Sequence, residues 1–258
     1  MSRFATKITD GQHVSANQMI GLRLPDRNHL VGEYLLGVSE AESIKNRADP
    51  SNPLTVQGTG HVYNPYSAVL KSSLTVGYGF ISNIIPDEHS SFIAVRKKPS
   101  LPTNTHAVGY NSTSNTATWG SRHFGAAWHT PMWEPGGNAG APQAAPAGTG
   151  IYFQAGVSSI LNPQTGLGGR ATQYWYAAGV QQSSQSPTQA AVQTIRRTII
   201  QDTRRFAIGS NTLPDSGTST TFEIYFAAIY QKPLTAAEIE TAYRAIVAYY
   251  ATRGVTVI

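Results

Sequence analysis

The chain contains no cysteine among its 258 residues. Disulfide bonds, thiolate zinc sites and cysteine nucleophiles are therefore excluded, and the fold must rest on its core. Charged residues are also scarce, at 13% of the chain against about 25% in an average globular protein. Because Ser, Thr, Asn, Gln, Gly and Ala take their place, we expect a surface that is polar but uncharged.

Long apolar segments are absent too. No stretch approaches the ~18 apolar residues of a membrane-spanning helix, and residues 1–10 contain no apolar run of signal-peptide length. We therefore expect synthesis in a cytosol and no membrane insertion. The net charge is +5, but the 19 basic residues are spread along the whole chain. A nucleic-acid binder would cluster them, so this distribution predicts no nucleic-acid partner.

Catalytic motifs are missing as well. A glycosidase needs two carboxylates near each other, one to protonate the leaving group and one to attack. The 14 acidic residues are scattered, and the close neighbours Glu40/Glu42 and Asp87/Glu88 fall in predicted loops or a helical turn. The glycine-rich residues 166–170 do not sit between a strand and a helix, so they are interpreted as a turn rather than a phosphate loop. We predict no enzymatic activity and no cofactor.

The last quarter of the chain carries the clearest pattern. Residues 222–230 alternate in hydrophobicity, which predicts a strand that is buried on at least one side. The large apolar side chains expected to share one face are Phe222, Ile224, Phe226, Ala228 and Tyr230. The segment that follows this strand has a different hydrophobic period.

That following segment predicts a helix over about residues 236–252. Thr235 and Glu238 have the spacing of a capping box, which satisfies two backbone donors at a helix start. Gly254 supplies the left-handed position that ends a helix, and residues 255–258 can return as a short edge strand. The apolar stripe expected to dock on a sheet consists of Ile239, Tyr243, Ile246, Val247 and Tyr250.

The rest of the chain has the pattern of many short strands separated by Gly, Pro, Asn and Ser clusters. Predicted strands cover residues 54–56, 68–70, 75–82, 91–97, 105–110, 116–120, 150–157, 172–180, 192–200 and 205–208. Residues 133–149 are predicted to form a long loop and residues 183–188 a shorter one. We predict one all-β domain, in which residues 1–48 form an N-terminal arm and leading strands, and residues 49–258 form the sandwich.

These features resemble the laminin-G-like domains of the concanavalin A-like lectin and glucanase superfamily. The resemblance rests on Ile208-Gly209, the strand ending in Tyr230, the segment from Leu234 to Ile239 and Gly254. Residues 49–58 resemble the early polar turn of such domains, and residues 91–96 resemble their first central strand. The resemblance implies a two-sheet antiparallel jelly-roll β-sandwich with one C-terminal α-helix. The acidic calcium ligands of that family have no counterpart here, so calcium binding is not carried over.

All four tryptophans lie near histidines and an arginine, or next to tyrosines. Segments of this composition are the candidates for ligand recognition. Aromatic faces stack on the C–H faces of sugars, and His, Arg and Glu provide hydrogen bonds, so glycan contact is one interpretation. Core packing or a subunit interface is the other. The candidate residues are Trp119, Arg122, His123, Trp128, His129, Trp133 and Glu134. The spacing of the two histidines matches no common metal site, so no metal is predicted. On the strand 172–180, Tyr174 and Tyr176 should share one face and Trp175 should lie on the other, so at least one of these faces should belong to the core.

The sequence leaves three alternatives for the function of this protein. A β-sandwich of the carbohydrate-binding type that is made in the cytosol is similar to bacteriophage structural proteins. The resemblance implies a non-enzymatic virion protein that is assembled in the host cytoplasm. Its place would be the tail tip, a fibre or the capsid decoration. Its expected partners are other virion proteins and itself, as a homo-oligomer such as a trimer, together with a host surface polysaccharide. The alternatives are a polysaccharide-cleaving glycoside hydrolase of the same fold and a bacterial carbohydrate-binding module.

Overall fold

Short strands rich in β-branched and aromatic residues account for most of the secondary structure. The computed structural model describes residues 22–71, 79–84, 91–97, 106–111, 118–124, 127–130, 141–144, 150–162, 167–185, 205–210 and 221–258. In chain order the described elements are β1 (Leu30–Leu35), α1 (Glu40–Ser43), β2 (Thr55–Gln57), β3 (Val62–Tyr63), β4 (Ala68–Lys71), β5 (Gly79–Ile81), β6 (Ser91–Lys97), β7 (His106–Asn111), β8 (Thr118–Phe124), β9 (Ala127–Thr130), β10 (Ala141–Ala144), β11 (Ile151–Asn162), β12 (Leu167–Ala177), β13 (Val180–Gln185), β14 (Ala207–Ser210), β15 (Thr221–Tyr230) and α2 (Ala236–Ala251).

The strands form two antiparallel sheets. The eight-stranded sheet has the order β13-β12-β11-β6-β15-β4-β3, and β1 pairs with β15 beside this path. The seven-stranded sheet has the order β10-β9-β8-β7-β14-β5-β2. On the side of β15 away from β6, its first residues pair with β4 and its last residues pair with β1. The predicted two-sheet β-sandwich with one C-terminal helix is confirmed.

The centre of the eight-stranded sheet is buried on both faces, and β6 shows this most directly. Phe92 and Ala94 belong to the core between the two sheets, while Ile93 and Val95 belong to a second core under α2. All four side chains are fully buried. Because successive residues of a strand point to opposite faces, a strand covered on both sides has a continuous apolar run instead of an alternating one.

A β-bulge in β15 corrects the predicted pattern of this strand. The pairing with β6 shifts register between Ile224 and Phe226. Ile224 therefore lies in the core between the sheets, whereas Phe226, Ala228 and Tyr230 face α2. The single apolar face predicted from period-two alternation is wrong at this point, because a bulge inserts one residue and reverses the faces that follow it.

The C-terminal helix confirms its prediction closely. Thr235 Oγ1 accepts the backbone N–H of Glu238 at 3.2 Å, and the Glu238 carboxylate accepts the N–H of Thr235 at 2.7 Å. Of the predicted stripe, Ile239, Ile246 and Tyr250 are buried against the eight-stranded sheet, together with Ala242, and Tyr243 and Val247 pack at the margin. Gly254 has φ +72, as a helix-ending glycine should, and the edge strand predicted for residues 255–258 is a one-residue parallel bridge from Val257 to Ile151.

Three segments predicted as turns or loops contain strands. Leu167–Ala177 is one strand, so residues 167–170 are not a turn. The strand Ala141–Ala144 lies inside the predicted 133–149 loop. The strand Val180–Gln185 overlaps the predicted 183–188 loop. In addition, Leu30–Leu35 forms a strand within residues 1–48, where leading strands were expected but not located. In each case a neighbouring strand supplies backbone partners, and this pairing outweighs the weak intrinsic preference of polar and glycine-rich segments. The strand predicted at residues 192–200 lies outside the described residues.

Neither of the helices in the described part of the chain is long and apolar enough to cross a membrane.

Candidate binding site

A pocket opens where the last turn of α2 meets the segment that joins β1 to α1 and the turn between β3 and β4. Its volume is about 130 Å³. We call it the tyrosine pocket, and the side chains that matter for its chemistry are Val38, Glu42, Arg47, Tyr66, Tyr249, Tyr250 and Arg253. Pockets that enclose a drug-sized ligand measure roughly 300–1,000 Å³, so this one suits a single ring or an end group of a longer molecule.

One wall of the pocket depends on an unusual backbone at Gly37 and Val38. Gly37 has φ +131, and a Cβ there would lie 2.6 Å from the backbone nitrogen of Ser67. Val38 has φ 63, and its N–H donates to Asn64 O at 2.6 Å. A β-branched residue in the left-handed region is a true outlier, and such strained residues concentrate at functional sites. Val38 is nevertheless 68% exposed, which places this strained apolar residue at the pocket mouth.

Short side chains hold that corner in place. The buried Ser43 of α1 accepts the backbone N–H of Gly37 at 2.9 Å through its hydroxyl oxygen. Ser39 caps α1 by accepting the N–H of Glu42 at 3.2 Å. These local hydrogen bonds fix the segment that follows β1, so the pocket wall is built before any ligand arrives.

The opposite wall is the end of α2. The hydroxyl of the buried Tyr250 donates to Tyr225 O at 2.8 Å, and burial raises the pKa of Tyr250 well above its ordinary value. Tyr249 packs edge-on against Tyr250, with ring centroids 5.2 Å apart. The guanidinium of Arg253 lies 3.6 Å from the ring centroid of Tyr249, a cation–π distance. Tyr66, 41% exposed, completes the aromatic lining from the β3–β4 turn.

The lining has more positive than negative charge. Arg47 and Arg253 are its two cations and Glu42 is its one carboxylate. A hydrogen bond from Lys45 lowers the pKa of Glu42, so Glu42 is ionised and already paired at neutral pH. Within the part of the chain that the structure describes, neither Arg47 nor Arg253 forms an ion pair with a carboxylate.

This arrangement is suited to binding rather than to glycosidic cleavage. A glycosidase places two carboxyl groups about 5–9.5 Å apart across the scissile bond. The lining of the tyrosine pocket has a single carboxylate, Glu42. Its aromatic rings can stack on apolar ring faces, and its arginines donate hydrogen bonds without taking up protons.

The residues predicted from sequence lie elsewhere. Trp119, Arg122 and His123 are on β8, and Trp128 and His129 are on β9. The backbone register places Arg122 opposite His129, and His123 opposite Trp128. The structure thus brings these five positions together on two neighbouring strands. Their side chains are not among the described ones, and Trp133 and Glu134 lie outside the described residues altogether. Their role in glycan contact stays a prediction.

The two regions occupy different ends of the sandwich. Across the core, β8 lies against β11 and β9 lies against β12. The tyrosine pocket borders β1 and the β3–β4 turn, on the other side of β6 and β15 in the strand order. The prediction that at least one face of this strand belongs to the core is confirmed for the tyrosine face, because Tyr176 is buried under α2 and Tyr174 packs against the same core.

Sequence analysis missed the pocket residues because three distant parts of the chain supply them. Tyr249 and Arg253 have i,i+4 spacing just outside the apolar stripe of α2, which is a usable signal for a paired aromatic and cation. Nothing local links Arg47 or Tyr66 to that pair. Among the described residues, no three His, Asp or Glu side chains come together as ligands for a metal ion.

Comparison with known proteins gives a likeness of fold. No protein-family model matches the chain, and no curated protein matches it in sequence. Several solved structures of botulinum neurotoxins match in shape. A structure of botulinum neurotoxin type C, whose passage into cells depends on interaction with two ganglioside molecules, has a TM-score of 0.55 at 12% identity and covers 85% of this chain and 52% of that one.

Two further structures give the same result. The binding domain of botulinum neurotoxin DC in complex with rat synaptotagmin II has a TM-score of 0.56 at 14% identity, over 86% of this chain and 52% of that one. The binding domain of serotype D/C has a TM-score of 0.57 at 13% identity, over 85% and 53%. The chain therefore spans about half the length of these structures. The likeness confirms a β-sandwich of the kind found in binding domains, and not specifically a laminin-G-like one.

Proposed function

We propose that this chain is a non-enzymatic recognition domain that binds a glycan at the tyrosine pocket. The observation that carries the proposal is a preformed pocket in which the exposed Tyr66 and the half-buried Tyr249 lie beside two arginines that have hydrogen-bond donors available. The botulinum neurotoxin type C structure, with its dependence on gangliosides, supports the same class of function on a similar fold.

The finer part of the proposal is a place on a bacteriophage virion. It derives from the sequence expectation of a polar, weakly charged sandwich that is assembled in the host cytoplasm as a homo-oligomer. In that setting the glycan is a host surface polysaccharide, and the protein serves in receptor recognition at a tail tip, fibre or capsid decoration.

The test is a binding measurement on an array of bacterial surface polysaccharides and on whole cells, with purified protein of known oligomeric state. We expect Tyr66→Ala and Tyr249→Ala each to reduce binding strongly, because each removes an aromatic face. Val180→Ala is the control, since Val180 is 60% exposed but lies on β13, far along the sheet from the pocket. If no glycan binds to the intact protein, the proposal fails.

The same measurement separates the two candidate regions. Trp119→Ala and Trp128→Ala alter β8 and β9 and leave the tyrosine pocket untouched. Loss of binding in these variants, with full binding in the tyrosine variants, would move the site to the strands predicted from sequence.

A further inference from the structure

One edge of the Arg253 guanidinium group, which lines the tyrosine pocket, has hydrogen-bond donors available for a ligand; we call it the free edge. Nη1 of Arg253 donates to Tyr249 O at 2.7 Å and to Thr252 Oγ1 at 2.8 Å. A guanidinium has five N–H donors, so those on Nε and Nη2 have no partner among the described residues. Two such donors side by side match the two oxygens of a carboxylate, which is the geometry that Arg provides and Lys does not.

The position of that edge is fixed by its surroundings. The guanidinium carbon Cζ of Arg253 lies over the Tyr249 ring, 3.6 Å from its centroid. The two hydrogen bonds of Nη1 hold the guanidinium from the side of the helix end. A cation that is already placed loses little rotamer entropy when it binds, so its donors favour a ligand more than those of a freely moving side chain.

Arg47 adds a second cation to the same lining. The sequence brings it there through the turn after α1, where its backbone N–H donates to Glu33 O at 2.8 Å. Its side chain is exposed and makes no ion pair in the described part of the chain. The lone acid of the lining, Glu42, is paired with Lys45, so the pocket retains a surplus of positive charge.

We propose that the tyrosine pocket selects a sugar ring that carries a carboxylate, that is, the acidic residue of an acidic saccharide. Arg253 binds the carboxylate with its free edge, Arg47 adds a second positive charge, and Tyr66 and Tyr249 contact the ring. This inference rests on the proposed glycan-binding function and adds the chemical class of the ligand.

The experiment compares acidic sugars with their uncharged counterparts. Galacturonate, glucuronate and N-acetylneuraminate, and short oligosaccharides that contain them, are titrated against the intact protein, each beside its methyl ester. The ester keeps the ring and removes the charge. We expect at least one acid to bind about tenfold or more tightly than its ester, which is the ratio for roughly 1.4 kcal/mol.

Matched arginine variants locate the effect. Arg253→Lys keeps the charge but loses the paired donors, and it should reduce binding of the acid several-fold while leaving binding of the ester unchanged. Arg47→Ala should have a smaller effect that fades at high salt, because its interaction is with an exposed charge. Arg244→Lys is the matched control, since it makes the same substitution on α2 outside the pocket, at the ion pair with Glu240.

The outcomes are distinct. If glycans bind but no acid is preferred over its ester, the proposal is overturned and the glycan-binding function stands. Equal losses for Arg253→Lys and Arg244→Lys would also overturn it, because the loss would then not depend on a guanidinium in the pocket. Absence of binding to every acid, every ester and every polysaccharide on the array would refute both.

Discussion

At the centre of the eight-stranded sheet both faces are buried, but the two cores that cover them differ in composition. The face toward the seven-stranded sheet is packed mainly with phenylalanine and aliphatic side chains, including Phe80, Phe92 and Phe206. The core under α2 contains tyrosines whose hydroxyls donate hydrogen bonds to polar partners. Examples are Tyr176 to Glu240, Tyr230 to Pro25 O and Tyr250 to Tyr225 O. The core between the sheets is therefore stabilised mainly by apolar contacts, and the core under α2 by apolar contacts together with hydrogen bonds.

This difference has a functional consequence. Both cores use strands distributed over most of the chain, but the core under α2 is covered by one continuous segment, the helix itself. The same segment carries Tyr249, Tyr250 and Arg253 into the tyrosine pocket. Binding should therefore respond to damage on the helix side and tolerate equal damage between the sheets, provided that the domain stays folded.

The largest expected effect comes from truncating one phenylalanine on each side. Phe92 and Phe153 are both fully buried, but Phe92 lies between the sheets, while Phe153 packs edge-on against Tyr243 of α2 with centroids 5.4 Å apart. Phe→Ala at either site should lower the free energy of unfolding by about 3–5 kcal/mol, measured by urea denaturation.

Hydrogen exchange distinguishes the two variants. In Phe153→Ala the amides of α2 should exchange by local opening and lose more protection than those of β14. In Phe92→Ala the loss should be shared across both sheets. Equal protection of α2 in the two variants would contradict the difference drawn between the faces.

The next effect concerns the pocket wall. Gly37→Ala forces a Cβ to within 2.6 Å of backbone and into φ +131, so we expect a loss of more than ~1 kcal/mol in stability together with reduced ligand binding. Gly179→Ala is the matched control, because Gly179 also has positive φ, at +77, but has open space around it. It should lose stability alone, as measured by thermal unfolding and ligand titration.

A smaller effect is expected at the start of α2. Thr235→Ala removes the capping hydroxyl and should cost about 1 kcal/mol in urea denaturation. Thr241→Ala provides a threonine control within the helix, where alanine is the better helix former and stability should be equal or slightly higher. A cost at Thr241 as large as that at Thr235 would mean that the capping box does not account for the loss.

The smallest effect is a pH dependence on the helix side. Hydrogen bonds from Lys232 and His29 lower the pKa of Asp26 from 3.8 to about 2. Because the folded-state pKa is the lower one, this stabilisation is complete above pH 3.8 and is lost as pH falls toward 2. The Asp26→Asn variant should be less stable than the unaltered protein above pH 3.8. The difference in free energy of unfolding should shrink as the pH falls toward 2, as measured by denaturation at several pH values. A deficit independent of pH would contradict this assignment.

Local patterns predicted some parts of the fold well and others poorly. The capping box at Thr235 and the stripe of α2 act within a few residues, so the sequence contains the whole interaction. The reversal of faces after Ile224 could not be predicted, because a bulge exists only relative to the partner strand β6. The strand at residues 167–170 was likewise missed, since its stability comes from pairing with β11.

The candidate site follows the same division. The cluster of Trp and His residues is visible in the sequence because its members are neighbours along the chain, and its role is untested. The tyrosine pocket combines Val38, Arg47, Tyr66 and Arg253, and their approach depends on β1 and β4 both pairing with β15. No local pattern records such a contact.

By itself, the sequence determined the class of the domain: many short strands, a capped C-terminal helix, and no disulfide framework to replace a core. These follow from hydrophobic period, capping chemistry and composition, which act within a turn or a strand. Only the tertiary structure decided which face each strand residue occupies and where aromatic rings meet unpaired guanidinium donors. Such features arise from contacts between segments far apart in the chain, and those contacts exist only after the two sheets and the helix have packed together.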